Sequence, residues 1–200
     1  MTIAILGWGS LVPDPRGLPI ADGWHQAGPV LPIEFSRISK DGQRADCLTL
    51  VIDEAHGSEV PTHYAVSRRT ELAQAITDLQ EREGTPNREN IGFCNLTTNQ
   101  DSPRARQKHP NALARIRAWA QKNGFDAVVW TALGPRFKDG PPGVPFTPAA
   151  ALNYLNGLPA ATKELAVQYI RTAPPQTMTA FRRLLLDQKT ARPKTKRNDP

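Results

Sequence analysis

Ile3-Ala4-Ile5-Leu6 is an unbroken apolar run that stops at Gly7-Trp8-Gly9-Ser10. A short apolar run ending in glycines predicts a buried strand that feeds a glycine-rich loop. Strand patterning returns over Leu31–Ile38 and over Cys47–Ile52, with the turn signal Asp41-Gly42 between them, so these two segments are expected to pair antiparallel. His56-Gly57 marks another turn, and Val60–Val66 carries Tyr64 and Val66 at strand spacing. The period then changes. Leu72, Ile76 and Leu79 fall at i, i+4 and i+7, one stripe of an amphipathic helix expected over Arg68–Arg82. Ser67 is its candidate N-cap and Gly84 its candidate left-handed C′ residue.

Leu113, Ile116 and Ala120 define a second helix that stops near Asn123-Gly124. Ala127–Leu133 is continuous and rich in β-branched residues, the pattern of a strand buried on both faces. Thr147-Pro148 reads as a cap followed by proline at the first helical position, and it starts a third helix reaching about Asn156. Two more helices are expected at Ala161–Arg171 and Gln176–Asp187. Between these elements, residues 12–32 and 134–146 are dense in proline and glycine and predict irregular excursions. Strands come first, helices last, with one late strand, which points to an α+β fold in a single domain over residues 1–187.

Composition narrows this picture. Of 200 residues, 39% are hydrophobic and 22% charged, an ordinary globular mix that needs no disulfide or metal to build a core. Cys47 and Cys94 lie far apart in apolar company and read as reduced core thiols. No apolar stretch is long enough to span a bilayer, and the N-terminal run has no basic region before it, so the expected setting is the cytoplasm. The net charge of +6 is concentrated at one end: residues 188–200 hold five cations and one anion, a net +4 that leaves +2 for the other 187. That proline-containing, aromatic-free tail is expected to be disordered. Nucleic-acid binding is disfavoured, because the basic segment lacks interleaved aromatics and recognised motifs.

Three groups of residues stand out for chemistry. In Leu6-Gly7-Trp8-Gly9-Ser10-Leu11, two glycines let backbone N–H groups converge on an anion, although a plain tight turn explains the same residues. The segment is neither a serine-hydrolase elbow nor a nucleotide-binding Walker loop. Glu81 and Glu83 sit near a helix C-terminus, where the macrodipole opposes negative charge and raises a carboxyl pKa, the direction a general base needs. Being two apart on a helix, they do not face each other, and a solvated helix end is the plainer reading. His25, His56, His63 and His109 show no metal-ligand spacing, and no metal or cofactor is expected.

Together these pieces resemble the gamma-glutamylcyclotransferase-like family. Its opening strand ends in Tyr-Gly-Ser followed by Leu or Asn, matched here by Trp8-Gly9-Ser10-Leu11; a strand beginning Gly-x-Val is matched by Gly57-Ser58-Glu59-Val60; and a helix ending Glu-Gly is matched by Glu83-Gly84. The resemblance covers about residues 2–90, and Trp8 stands where the family has tyrosine. It implies a small mixed β-barrel flanked by helices, with a site at one mouth and no cofactor. It also implies Glu83 as the catalytic acid/base, with Trp8, Gly9, Ser10 and Leu11 holding a small-molecule γ-glutamyl substrate. The implied reaction cyclises a γ-glutamyl-amine to 5-oxoproline and releases the amine. The alternative is a non-catalytic module on the same fold that binds a small anion.

Overall fold

The computed structural model describes residues 1–40 and 45–190, with side chains through 188. The chain is mixed α+β. The opening apolar run forms β1 (Ile3–Gly7), and the late β-branched run forms β8 (Ala127–Thr131). They pair in parallel at the centre of a five-stranded sheet ordered β5-β1-β8-β6-β7, completed by β5 (His63–Val66), β6 (Ile91–Asn95) and β7 (Gln100–Asp101).

Alternation along the central strands divides the core. Ile3, Ile5, Ala127 and Val129 face one cluster with Ala75, Ile76 and Leu79 of helix α1 (Leu72–Glu83). Ala4, Leu6, Val128 and Trp130 face the other. Burial on both faces is what makes these strands read as continuous apolar runs.

The second cluster is filled by a three-stranded sheet and by the later helices. In that sheet β2 (Val30–Ile38) lies between β3 (Leu48–Ile52) and β4 (Ser58–Pro61), both antiparallel to it. The expected hairpin of β2 with β3 is present, and its turn signal Asp41-Gly42 lies outside the described residues. Helices α2 (Pro103–Lys108), α3 (Pro110–Lys122), α4 (Pro148–Gly157), α5 (Ala160–Thr172) and α6 (Ala180–Thr190) follow. α6 continues past the expected end at Asp187 into the basic segment, and positions 191–200 lie outside the described residues.

Several expectations are corrected. Among the described residues, neither sheet closes into a barrel. The segment expected as one strand, Val60–Val66, splits at buried Thr62: its first half pairs with β2 and its second with β1, so it passes from one sheet to the other. The free edge of β5 is covered by the proline-rich excursion, through Ala21 N–H to Val66 O at 2.9 Å and a reciprocal pair between His25 and Tyr64 at 2.8 and 2.9 Å. A covered edge is not available to complete a closed sheet. α1 begins four residues later than expected, because the Ser67 hydroxyl accepts from Arg69 N–H at 3.1 Å in a local turn and does not cap the helix. Gly84 does end it in the left-handed region, at φ 62°. Among the described residues, no helix is long and apolar enough to cross a membrane.

Thr147 caps α4 as its sequence predicts, accepting from Ala150 N–H at 3.0 Å. Thr147→Ala is expected to cost about 1 kcal/mol of unfolding free energy, read from the shift of a urea midpoint at unchanged slope.

Burial sets a second, pH-dependent expectation. His109 is 1% exposed, and among the described residues no well-formed hydrogen bond reaches either ring nitrogen. Burial holds it below its ordinary 6.5; the nearby Ala132 backbone, Glu54 and Asp53 offset part of that effect, while Arg104 adds to it. Burial likewise lowers His63. A group with a depressed folded pKa contributes stability that is complete above the unfolded value and is lost as pH falls below it. Glu34 works in the opposite sense. Burial raises its carboxyl, with hydrogen bonds from Thr179, Phe35 and Phe181 opposing the rise and Asp53 adding to it, so acidification relieves its cost. Unfolding free energy measured from pH 8 to 5.5 should therefore fall less steeply in His109→Gln than in the wild type.

Candidate functional site

The loop that follows β1 is held from two directions. Thr177, just before α6, donates its hydroxyl to the buried carbonyl of Trp8 at 2.8 Å. From the other side Arg82 of α1, its side chain only 5% exposed, donates to the carbonyls of Ser10 at 2.9 Å and Asp14 at 2.6 Å. The same guanidinium reaches the Glu83 carboxylate at 2.6 Å. A single buried cation thus joins the end of α1 to the loop and fixes the carboxylate of the next residue.

Glu83 is the last residue of α1, with its side chain 21% exposed. It borders a cavity of about 380 Å³, a size suited to a small molecule. Trp8, Gly9, Ser10 and Leu11 border the same cavity. Glu81 points elsewhere, onto shallow surface depressions beside α1. The five residues singled out from sequence are therefore brought together around one space, and Glu81 is not among them.

Their roles in the loop differ. Trp8 and Leu11 are each 5% exposed and anchor the loop in the two core clusters, Trp8 in the one facing the second sheet and Leu11 in the one beneath α1. The glycines are required by close approach and not by an unusual backbone angle, since neither Gly7 nor Gly9 adopts positive φ. A Cβ at Gly7 would lie 3.0 Å from the Trp24 ring, and one at Gly9 would lie 3.3 Å from Leu50 and 3.4 Å from the Tyr169 hydroxyl. Among the described residues, the N–H groups of Gly9 and Leu11 make no hydrogen bond.

The remaining walls come largely from expected segments, the excursion over 134–146 among them, but from residues in those segments that no motif singled out; none comes from residues 12–32. Tyr169 of α5 brings a phenol hydroxyl beside Gly9. Arg37, at a register shift in β2, Lys40 beyond that strand, and Arg136 in the second proline-rich excursion add three cations. Thr85 and Asn90, joined by a side-chain hydrogen bond of 2.6 Å, close the side next to Glu83. No sequence motif marks Tyr169, Arg37 or Arg136. Arg82 alone carried a local signal, as a cation in the last turn of a helix whose C-terminal dipole favours one.

The four histidines lie outside this cavity. His25 stacks on Tyr64 with ring centroids 4.9 Å apart, His56 pairs with Asp53 at 3.4 Å, His63 contacts Gln176, and His109 is buried. Among the described residues, no group of histidine, cysteine, aspartate or glutamate side chains is arranged to hold a metal ion. Cys47 and Cys94 are buried and not joined in a disulfide, and burial pushes the Cys94 thiol up to about 12, so it is inert as a nucleophile at neutral pH.

The cavity therefore combines a fixed carboxylate, unoccupied backbone donors, a phenol and a cationic wall. Such a set can bind an anionic small molecule and move a proton within it. Comparison of the chain with protein-family models, with curated proteins and with solved structures finds no match.

Proposed function

We propose that this chain is a gamma-glutamylcyclotransferase-like enzyme that converts a γ-glutamyl-amine into 5-oxoproline and a free amine. The observation that carries the reading is the meeting of Glu83 with the Gly9–Leu11 loop at one small-molecule cavity, although more than seventy residues separate them in sequence.

In the proposed reaction, Glu83 accepts a proton from the substrate's α-ammonium. The freed nitrogen attacks the γ-carbonyl carbon, closing a five-membered ring, and the original amide C–N bond breaks. The two protons lost by the α-ammonium end on the departing nitrogen, which leaves as an ammonium, so no water or redox partner is consumed. The backbone N–H groups of Gly9 and Leu11 hold the substrate carboxylate or the tetrahedral oxyanion. Because nucleophile and electrophile belong to one molecule, positioning by the loop supplies much of the rate.

A second reading, a non-catalytic module that binds a small anion at the same place, draws on the engagement of Glu83 by Arg82 and on Trp8 in place of tyrosine. One experiment separates them. The folded protein is incubated with γ-glutamyl dipeptides, glutathione and γ-glutamyl-alkylamines, and 5-oxoproline is sought by mass spectrometry. Catalytic release from any of them upholds the enzyme; saturable binding with no product from any of them leaves the binding module.

A further inference from the structure

The three cations that line the cavity with Glu83 have no counterpart in the reaction above. Arg37 donates to the carbonyl of Gly134 at 3.1 Å, and the backbone N–H of Arg136 donates to the carbonyl of Ser36 at 2.9 Å. These two bonds clip the 134–136 segment against β2 and bring Arg37 and Arg136 together, and both line the cavity with Lys40. Among the described residues, none of the three forms an ion pair. Asp46 and Asp139 border a neighbouring depression that shares Lys40 and Arg136, yet neither comes within 4.0 Å of these cations. Glu83 is the one carboxylate among the described residues that line the cavity, and Arg82 already neutralises it.

We infer that Arg37, Arg136 and Lys40 form a subsite for a phosphate-type dianion carried on the amine half of the substrate. The inference rests on the cyclotransferase reading for the word "amine" and on the wall alone for the dianion. A γ-glutamyl group brings an ammonium and a carboxylate that cancel, so three positive charges remain for the other half of the molecule to meet. One carboxylate would offset a single charge. A phosphate offers two charges and three oxygens, which two guanidinium forks can grip in parallel. Burial first, and then the neighbouring Arg136 and Arg104, pull the Arg37 guanidinium below its ordinary value. Like charges held together in this way are relieved by an incoming anion.

The test compares three substrates that differ only beyond the scissile amide: γ-glutamyl-O-phosphoethanolamine, γ-glutamyl-β-alanine and γ-glutamyl-propylamide. The expected order of kcat/KM is dianion, monoanion, neutral, with about 100-fold or more between the ends. Arg136→Gln removes a side chain that makes no hydrogen bond to a described residue, and it should cut that ratio by about tenfold. Arg37→Gln should do the same. Equal kcat/KM for all three substrates, or a ratio that both variants leave intact, overturns the subsite.

A second arm needs no turnover. Calorimetric titration with free O-phosphoethanolamine should show binding that free ethanolamine lacks and that the double variant loses. Binding of this kind with no 5-oxoproline from any substrate upholds the anion subsite and overturns the cyclotransferase reading. Turnover with no preference for phosphate does the reverse.

Discussion

Glu83→Gln is expected to slow 5-oxoproline release by about 10²- to 10⁴-fold while the chain stays folded, the range associated with loss of a positioned general acid–base. Glutamine keeps the length and shape of the side chain, and its amide oxygen can still accept from Arg82, which donates at 2.6 Å in the native pair. What it cannot do is take a proton at neutral pH. The loss should therefore appear in kcat with little change in KM, since the loop and the cationic wall that hold the substrate are untouched. Single-turnover assays with an unchanged circular dichroism spectrum and urea midpoint would isolate the chemical step. A variant that turns over at the wild-type rate would remove Glu83 from the mechanism.

Arg82→Met is expected to be costly in a different way, lowering stability by about 3 kcal/mol and activity with it. The guanidinium is almost wholly buried and serves the Ser10 and Asp14 carbonyls together with Glu83. Methionine fills much of the volume but takes the charged donor away from the Asp14 carbonyl and from Glu83, and leaves the Ser10 carbonyl to the Asp14 N–H at 3.1 Å. Losing a charged donor at a part-buried acceptor costs more than an ordinary hydrogen bond contributes. Chemical denaturation should show a lower midpoint at the same slope. If stability falls and activity survives, the loop is held well enough by Thr177 alone, and Arg82 is a structural clamp with no part in orienting Glu83.

These expectations show which parts of the molecule sequence could reveal. β1 and β8 were legible because strands buried on both faces must be apolar at every position. β6 escaped notice because Gly92 interrupts it, and the interruption is tertiary in origin: a Cβ there would lie 2.6 Å from the indole of Trp130 on the adjacent strand. The start of α1 was misplaced because Ser67 is occupied by a local turn and by pairing with Ile20, a partner 47 positions away. In the site, Glu83 and the loop were found from local motifs. Arg37 and Arg136 were not, since a hydrogen bond spanning 97 positions leaves no periodic trace in either segment.

That same long reach governs when the cavity can exist. Thr2 meets the Asp126 carboxylate across 124 positions, and Thr177 meets Trp8 across 169. During synthesis, β1 emerges first and waits for a parallel partner that appears only after some 120 further residues have been made. Its loop gains a second anchor later still, when the approach to α6 is complete. Contacts so distant along the chain slow folding, because closing long loops costs entropy before any contact compensates. The loop beside Glu83 therefore gains its second anchor, and the cavity its walls from Arg136 and Tyr169, only after most of the chain has been made, so the cavity is completed among the last events of folding.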